Sequence, residues 1–252
     1  MSGHSKWAKI HRAKEASDQK KSASFGKVSK QITLAAKKGA DPDANFQLRL
    51  AIDNAKMINM PKDNIERAIA KASSKSEVLD EMVYEGYGPE GIAVIVEGAT
   101  DNKNRLNQEI RSIFSKNGGK LADVGAVSWM FEHKGVIIVP DILNQLKTST
   151  FFNASISLEE SKENFYIELI EWGSEDVLEE ENDLVVYTKP LDLKKVKDKM
   201  ELANFKIAQA SLEYVAKNLV EITDESKKTL AENLLSSMEE NEDVSNFYTN
   251  LK

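Results

Sequence analysis

The sequence predicts an α+β, multidomain chain: a helical bundle comes first, and mixed structure containing a split βαβ segment follows. Three observations lead there. The 252-residue length favours two or three domains. Apolar spacing is helical up to about residue 73 and strand-like after about residue 81. Between residues 130 and 217 the candidate elements run strand, helix, strand, strand, helix, strand.

In SFGKVSKQITLAAKKG, Phe25, Val28, Ile32 and Ala35 or Ala36 recur at helical spacing, and Gly39 after Lys37 and Lys38 is a helix stop. Phe46, Leu48, Ala51, Ile52, Ala55 and Ile58 mark a second helix. Pro61 suits the first position of a third, whose buried stripe is Ile65, Ala68, Ile69 and Ala72. These three short, Ala-rich helices should pack together. Further on, GIAVIVEGA reads as a strand, and NRLNQEIRSIFSKNGG as a helix with Leu106, Ile110, Ile113 and Phe114 inward and Gly118–Gly119 at its end. AVSWMFEHKGVIIV reads as strands. An acidic stretch then offers the helix SLEESKENFYIELIEW, the strand DLVVYTK, the helix LDLKKVKDKMELA and the strand FKIAQASLEYVAK. Thr223, with Ser226 in capping position, opens a last helix whose stripe is Leu230, Leu234, Leu235 and Met238.

Charge divides the chain. Residues 1–75 hold 16 Lys/Arg against 7 Asp/Glu, a net of +9, whereas residues 76–252 hold 18 against 34, a net of −16. Such asymmetry points to a polyanion at the basic end. The head GHSKWAKIHRAKEASDQKKSASFGK concentrates seven of those cations around a single tryptophan. Trp7 and Ile10 are its main apolar residues, so residues 2–20 are expected to order on binding rather than alone.

The absences are equally directive. With zero cysteines there is no disulfide framework, thiolate metal site or cysteine nucleophile. His4, His11 and His133 lack ligand spacing, so no metal is expected. GYGPEG has the glycine spacing of a dinucleotide loop at Gly86, Gly88 and Gly91, but it precedes a strand and contains Pro89, so it reads as a turn. No nucleophile–base pattern and no Walker loop occur, and the expectation is a non-enzymatic protein with no cofactor and no small-molecule substrate. No apolar run approaches the ~18 residues of a membrane span. The start lacks an apolar signal core, and Ser2 stands where myristoylation needs glycine, so no membrane partner and a cytoplasmic location are expected. One compact polar cluster remains, ATDNKNRLNQEIR, in which a helix cap at Asp101 or Asn102 leaves Lys103 and Arg105 unexplained.

GHSKWAKIHRAK, NMPKDNIERAI, YEGYGPEGIAVIVE, TDNKNR and SKNGGKLADVGAVSWMF together resemble the YebC family, bacterial proteins related to the mitochondrial translational activator of cytochrome oxidase. The likeness is specific from Ser2 to about Val139, and residues 141–222 resemble the family in layout. It implies a basic arm plus helical domain at 1–80, an α+β domain at 81–133 and 218–252, and an acidic ferredoxin-like domain inserted at 134–217. The family is labelled transcriptional and DNA-binding, and its members are also regarded as ribosome-associated factors that relieve stalling. TDNKNR departs from the family in carrying Lys103 where Arg is usual, and TFFNASISLEESKENFYIEL is longer and more apolar than its counterpart.

The candidate nucleic-acid-binding residues are His4, Ser5, Lys6, Trp7, Lys9, His11, Arg12, Lys14, Lys20, Lys21, Lys27, Lys30, Lys37 and Lys38, with Asn102, Lys103, Asn104 and Arg105 on a second element. Lysine point charges suit phosphates better than base edges, and an arm with one stacking aromatic suits structured RNA. The expected partner is therefore the ribosome through ribosomal or transfer RNA, with duplex DNA as the alternative.

Overall fold

A computed structural model of the chain describes residues 18–73, 79–152 and 155–252, with side chains described from residue 24 onward. It is α+β, with two four-stranded sheets, and it divides into two compact units. One runs to Glu132 and resumes over Tyr214–Lys252; the other is His133–Glu213.

The first unit opens with three helices, α1 (Asp18–Ala36), α2 (Phe46–Met57) and α3 (Lys62–Lys71). Asp18, Gln19 and Lys20, expected to belong to the arm that orders on binding, already form the first turn of α1. Ile32, Ala36, Leu48, Ala51, Ile52, Ala55, Met60, Ile65 and Ala68 make the bundle core, with Phe25, Val28, Ala35, Ile69 and Ala72 packed against it. Small residues let short helices approach closely, which is why an Ala-rich stripe suffices. Asn45 caps α2 by accepting from the Leu48 N–H at 3.1 Å, and its amide donates to the carbonyls of Ala35 and Gly39, tying the end of α1 to the start of α2. Pro61 sits one residue before the helix rather than inside it.

The sheet of this unit has order β3-β1-β2-β8, with β1 (Asp80–Tyr87), β2 (Ala93–Thr100), β3 (Lys120–Ala122) and β8 (Val244–Thr249) pairing antiparallel. Val94 and Val96 face a core with Leu106, Ile110 and Phe114 of α4 (Lys103–Lys116) and Leu234, Leu235 and Met238 of α8 (Glu225–Glu240). Ala93 and Ile95 face a second cluster with Val127, Phe131 and Tyr248. With both faces covered, β2 is apolar at every position from Ala93 to Val96 rather than alternating. The GYGPEG stretch closes the β1–β2 connection: Pro89–Gly91 form one 3-10 turn, and Glu90 and Gly91 take φ of 56° and 75°. Gly86 has a different constraint, because a Cβ there would lie 2.6 Å from the Phe114 ring and 2.8 Å from the Lys120 carbonyl. Asp224, not Thr223, caps α8: its Oδ1 accepts from the Ser226 and Lys227 N–H groups at 2.8 and 3.1 Å and from the Ser226 hydroxyl.

The second unit has sheet order β5-β6-β4-β7, from β4 (Phe131–Val139), β5 (Ser174–Glu180), β6 (Asp183–Thr188) and β7 (Gln209–Ala216). Its helices are α5 (Ile142–Thr148), α6 (Leu158–Trp172) and α7 (Leu193–Leu202). Phe151, Phe165, Trp172 and Phe205 pack ring to ring, with Phe165 and Phe205 stacked at 4.2 Å between centroids. The aromatic residues around TFFN that set this stretch apart thus include Phe151, which joins that cluster.

Candidate nucleic-acid interface

His4, Ser5, Lys6, Trp7, Lys9, His11, Arg12 and Lys14 lie outside the described residues. Lys20 and Lys21 lie on α1, with side chains also outside them. The remaining candidates divide by what they touch.

Lys30 of α1 reaches across to the connection between α8 and β8, where its Nζ lies 2.5 Å from Asp243 Oδ1 and 3.0 Å from the Glu242 carbonyl. On the other side of the same carboxylate, Arg105 donates to Asp243 Oδ2 at 2.7 Å and the Thr100 hydroxyl donates to it at 2.8 Å. Asp243 is 5 % exposed, so its charge is held in a place where an unpaired carboxylate would be costly. Burial alone would raise its pKa, but the bonds from Arg105, Lys30 and Thr100 outweigh that and keep the carboxyl below the usual aspartate range. The expected RNA donors Lys30 and Arg105 are thereby engaged within the unit, joining the helical segment and α4 to the residue that precedes β8.

Lys27 is one turn earlier on α1 and donates to the Glu239 carbonyl at 2.5 Å, in the last turn of α8. Free carbonyls and the negative end of the dipole favour a cation there. Burial nevertheless dominates and brings the Lys27 amine down to about 8. A lysine lowered on folding releases its proton before the unfolded chain does, so its contribution to stability rises as pH increases from about 8 towards the ordinary lysine value. Lys27→Met should therefore flatten the stability–pH curve in that window relative to the parent protein, measured by urea unfolding at a series of pH values. An unchanged slope would contradict this.

The TDNKNR segment connects β2 to α4. Asn102 is the cap, accepting from the Arg105 N–H at 3.0 Å. The two cations that capping leaves over have acidic partners. Lys103 Nζ is 3.2 Å from Asp80 Oδ1, and Arg105 adds a 2.9 Å contact with Asp101 to its bond with Asp243. Asn104 is exposed. Lys37 donates to the Leu79 carbonyl at 2.6 Å and Lys38 to Gln47 Oε1 at 3.0 Å, both at exposed positions. An ammonium has three donors, so neither contact uses up the side chain. Asp243 and Asp80, which organise these cations, were not legible locally: Asp243 is one of many acids in an acidic tail, and its partners are 213 and 138 residues away.

Among the described residues, no cluster of three or more His, Cys, Asp or Glu side chains could hold a metal ion, and no helix is long and apolar enough to cross a membrane.

The fold and this cluster define an α+β protein whose basic helical segment is joined to the last turn of α8 by Lys27 on the Glu239 carbonyl and to the segment between α8 and β8 by Lys30 on the nearly buried Asp243. Two family models cover nearly all of it: one described as the TACO1/YebC protein N-terminal domain matches residues 5–75, and one described as the TACO1/YebC second and third domain matches residues 79–251. The chain belongs to the TACO1/YebC family. A probable transcriptional regulatory protein of Desulfotalea psychrophila is 44% identical over 99% of this chain and 95% of its own length. One of Listeria monocytogenes, with the same description, is 41% identical over 99% and 98%. The crystal structure of a conserved hypothetical protein from Aquifex aeolicus, 36% identical, superposes with a TM-score of 0.79 over 93% of this chain and 91% of that one.

Proposed function

We propose that the chain is a regulatory nucleic-acid-binding protein that acts without catalysis by setting its basic first segment against ribosomal or transfer RNA on the ribosome. The observation that carries this reading is the segregation of charge, +9 over residues 1–75 and −16 over the rest. Phosphate attracts the first and repels the second, so the field orients the protein as well as binding it. The footprint comprises the basic head, the exposed Lys37 and Lys38, and the exposed Lys103 with Asn104. Lys103 can exchange Asp80 for phosphate at little cost, because exposed ion pairs contribute little. Residues 134–217 are read as a ferredoxin-like domain inserted in the α+β domain, the acidic part held away from RNA.

The names of the relatives favour a second reading, a regulator of transcription on duplex DNA. Selection from random duplexes separates the two. The RNA reading expects no duplex favoured by as much as about a thousandfold over random sequence, the range of a specific regulator. Recovery of such a site, together with failure to bind ribosomal or transfer RNA, would establish the DNA reading instead.

A further inference from the structure

The loop between β3 and β4 holds an exposed aromatic on a buried foundation. Glu85 of β1 is 3 % exposed, and its carboxylate accepts from the backbone N–H groups of Gly125, Val127 and Ser128 at 2.8, 2.7 and 2.9 Å. Burial pushes this carboxyl up, and the three backbone bonds more than reverse the effect, so it stays ionised and bonded to the loop. Val127 and Phe131 go into the core beneath. Trp129 between them remains 65 % exposed. Its indole N–H donates to the Ala126 carbonyl at 3.0 Å, and the Tyr87 hydroxyl donates to that same carbonyl at 2.8 Å.

One lysine is anchored on this loop, and a second lies by the tyrosine whose hydroxyl bonds it. Lys217 Nζ donates to the Trp129 carbonyl at 2.9 Å, and the Lys217 N–H donates to the Met130 carbonyl at 2.9 Å. Lys120 Nζ lies 5.9 Å from the centre of the Tyr87 ring. Both lysines are exposed. A tryptophan whose polar edge is already bonded to its own loop offers an apolar face that no partner hydrogen bond needs to satisfy, and it loses little freedom when something flat lies on it. A lysine bonded to the loop and another by its supporting tyrosine favour a flat partner that carries negative charge.

We propose that Trp129 is a stacking site for an unpaired nucleobase, with Lys217 and Lys120 taking the adjoining phosphates. This rests on the nucleic-acid reading above and adds a single-stranded contact distant in sequence from the basic head. Base stacking on an aromatic is tolerant of sequence, so the site holds a strand without reading it.

The test uses the full chain carrying Trp7→Phe, which leaves the arm's charges in place and two tryptophans, the exposed Trp129 and the buried Trp172. Titration with oligouridylate or oligoadenylate should quench tryptophan emission, and adding Trp129→Phe should remove the quench. Trp129→Ala should weaken binding roughly five- to a hundredfold with the salt slope unchanged. Trp129→Leu, which keeps apolar bulk and the fold, should weaken it similarly. Changing Lys120 and Lys217 together to alanine should reduce the salt slope by about one to two. If the oligonucleotide binds with the salt dependence of the arm while Trp129→Ala and Trp129→Leu keep full affinity and the emission does not move, the stacking site is wrong and the proposed function stands. If the parent protein binds neither oligonucleotides nor ribosomal or transfer RNA, both fall.

Discussion

Asp243→Ala is expected to destabilise the first unit by about 3 kcal/mol or more, among the largest effects of any single substitution in the chain. The carboxylate is nearly buried and receives Lys30, Arg105 and Thr100 together. Removing it leaves two cations facing each other and the buried Thr100 hydroxyl without that acceptor. Asp243→Asn should cost nearly as much, since the shape is kept but the charge is lost. By contrast, Lys103→Ala breaks an exposed pair with Asp80 and should stay within about 1 kcal/mol. The pH dependence follows from the lowered carboxyl: the stabilisation is complete above the ordinary aspartate range and is lost as pH falls through the lower folded value. Amide exchange in α1 and β8 under mild urea reads the loss, and similar exchange in the Asp243 and Lys103 variants would contradict the role assigned to this cluster.

Changing Lys6, Lys9, Arg12 and Lys14 to alanine together should remove most of the affinity for RNA. If each neutralises one phosphate, the log–log salt slope should fall by about 2.8 to 3.6, at about 0.7 to 0.9 per phosphate. Trp7→Ala should act differently, weakening binding by about 1–3 kcal/mol while leaving that slope nearly intact, because stacking releases no counterions. Filter binding across a salt series distinguishes the two. Equal slopes in the parent and the four-alanine protein would show that affinity does not come from these charges.

The helices were legible where their faces are plainly divided, as in α4, whose buried Leu106, Ile110 and Phe114 recur at helical spacing among charged residues. Strand β2 could be read because two covered faces make a continuous apolar run. Strand β1 was not singled out, and the reason is specific: Val83 is 44 % exposed while Glu85 is 3 % exposed, so polarity and burial are inverted in the middle of the strand. The strand–helix–strand–strand–helix–strand order requires a strand just before DLVVYTK, but the residues of β5 could not be assigned from composition, since SEDVLEE places carboxylates along the edge of its sheet. The same limit governs the candidate site. Lysine and arginine could be found by type, but whether each meets a partner's phosphate or an acid of its own chain depends on long-range packing. Lys30 and Arg105 read alike with Lys37 and Lys38 in sequence, and only the former pair surrounds Asp243. The three N–H groups donated to Glu85 have no side-chain signature, so AVSWM reads in sequence as strand, whereas it forms the loop and 3-10 turn that present Trp129 and the strand begins only at Phe131.

Cosedimentation with purified ribosomes tests the central claim most directly, comparing the full chain with a protein lacking residues 2–17, which leaves α1 and everything after it in place. The full chain should pellet with ribosomes at low salt and be released as salt rises, while the shortened protein stays in the supernatant with its circular dichroism otherwise preserved. Equal pelleting of both proteins, or a full chain that ignores ribosomes at every salt concentration, would contradict a basic first segment acting on ribosomal RNA.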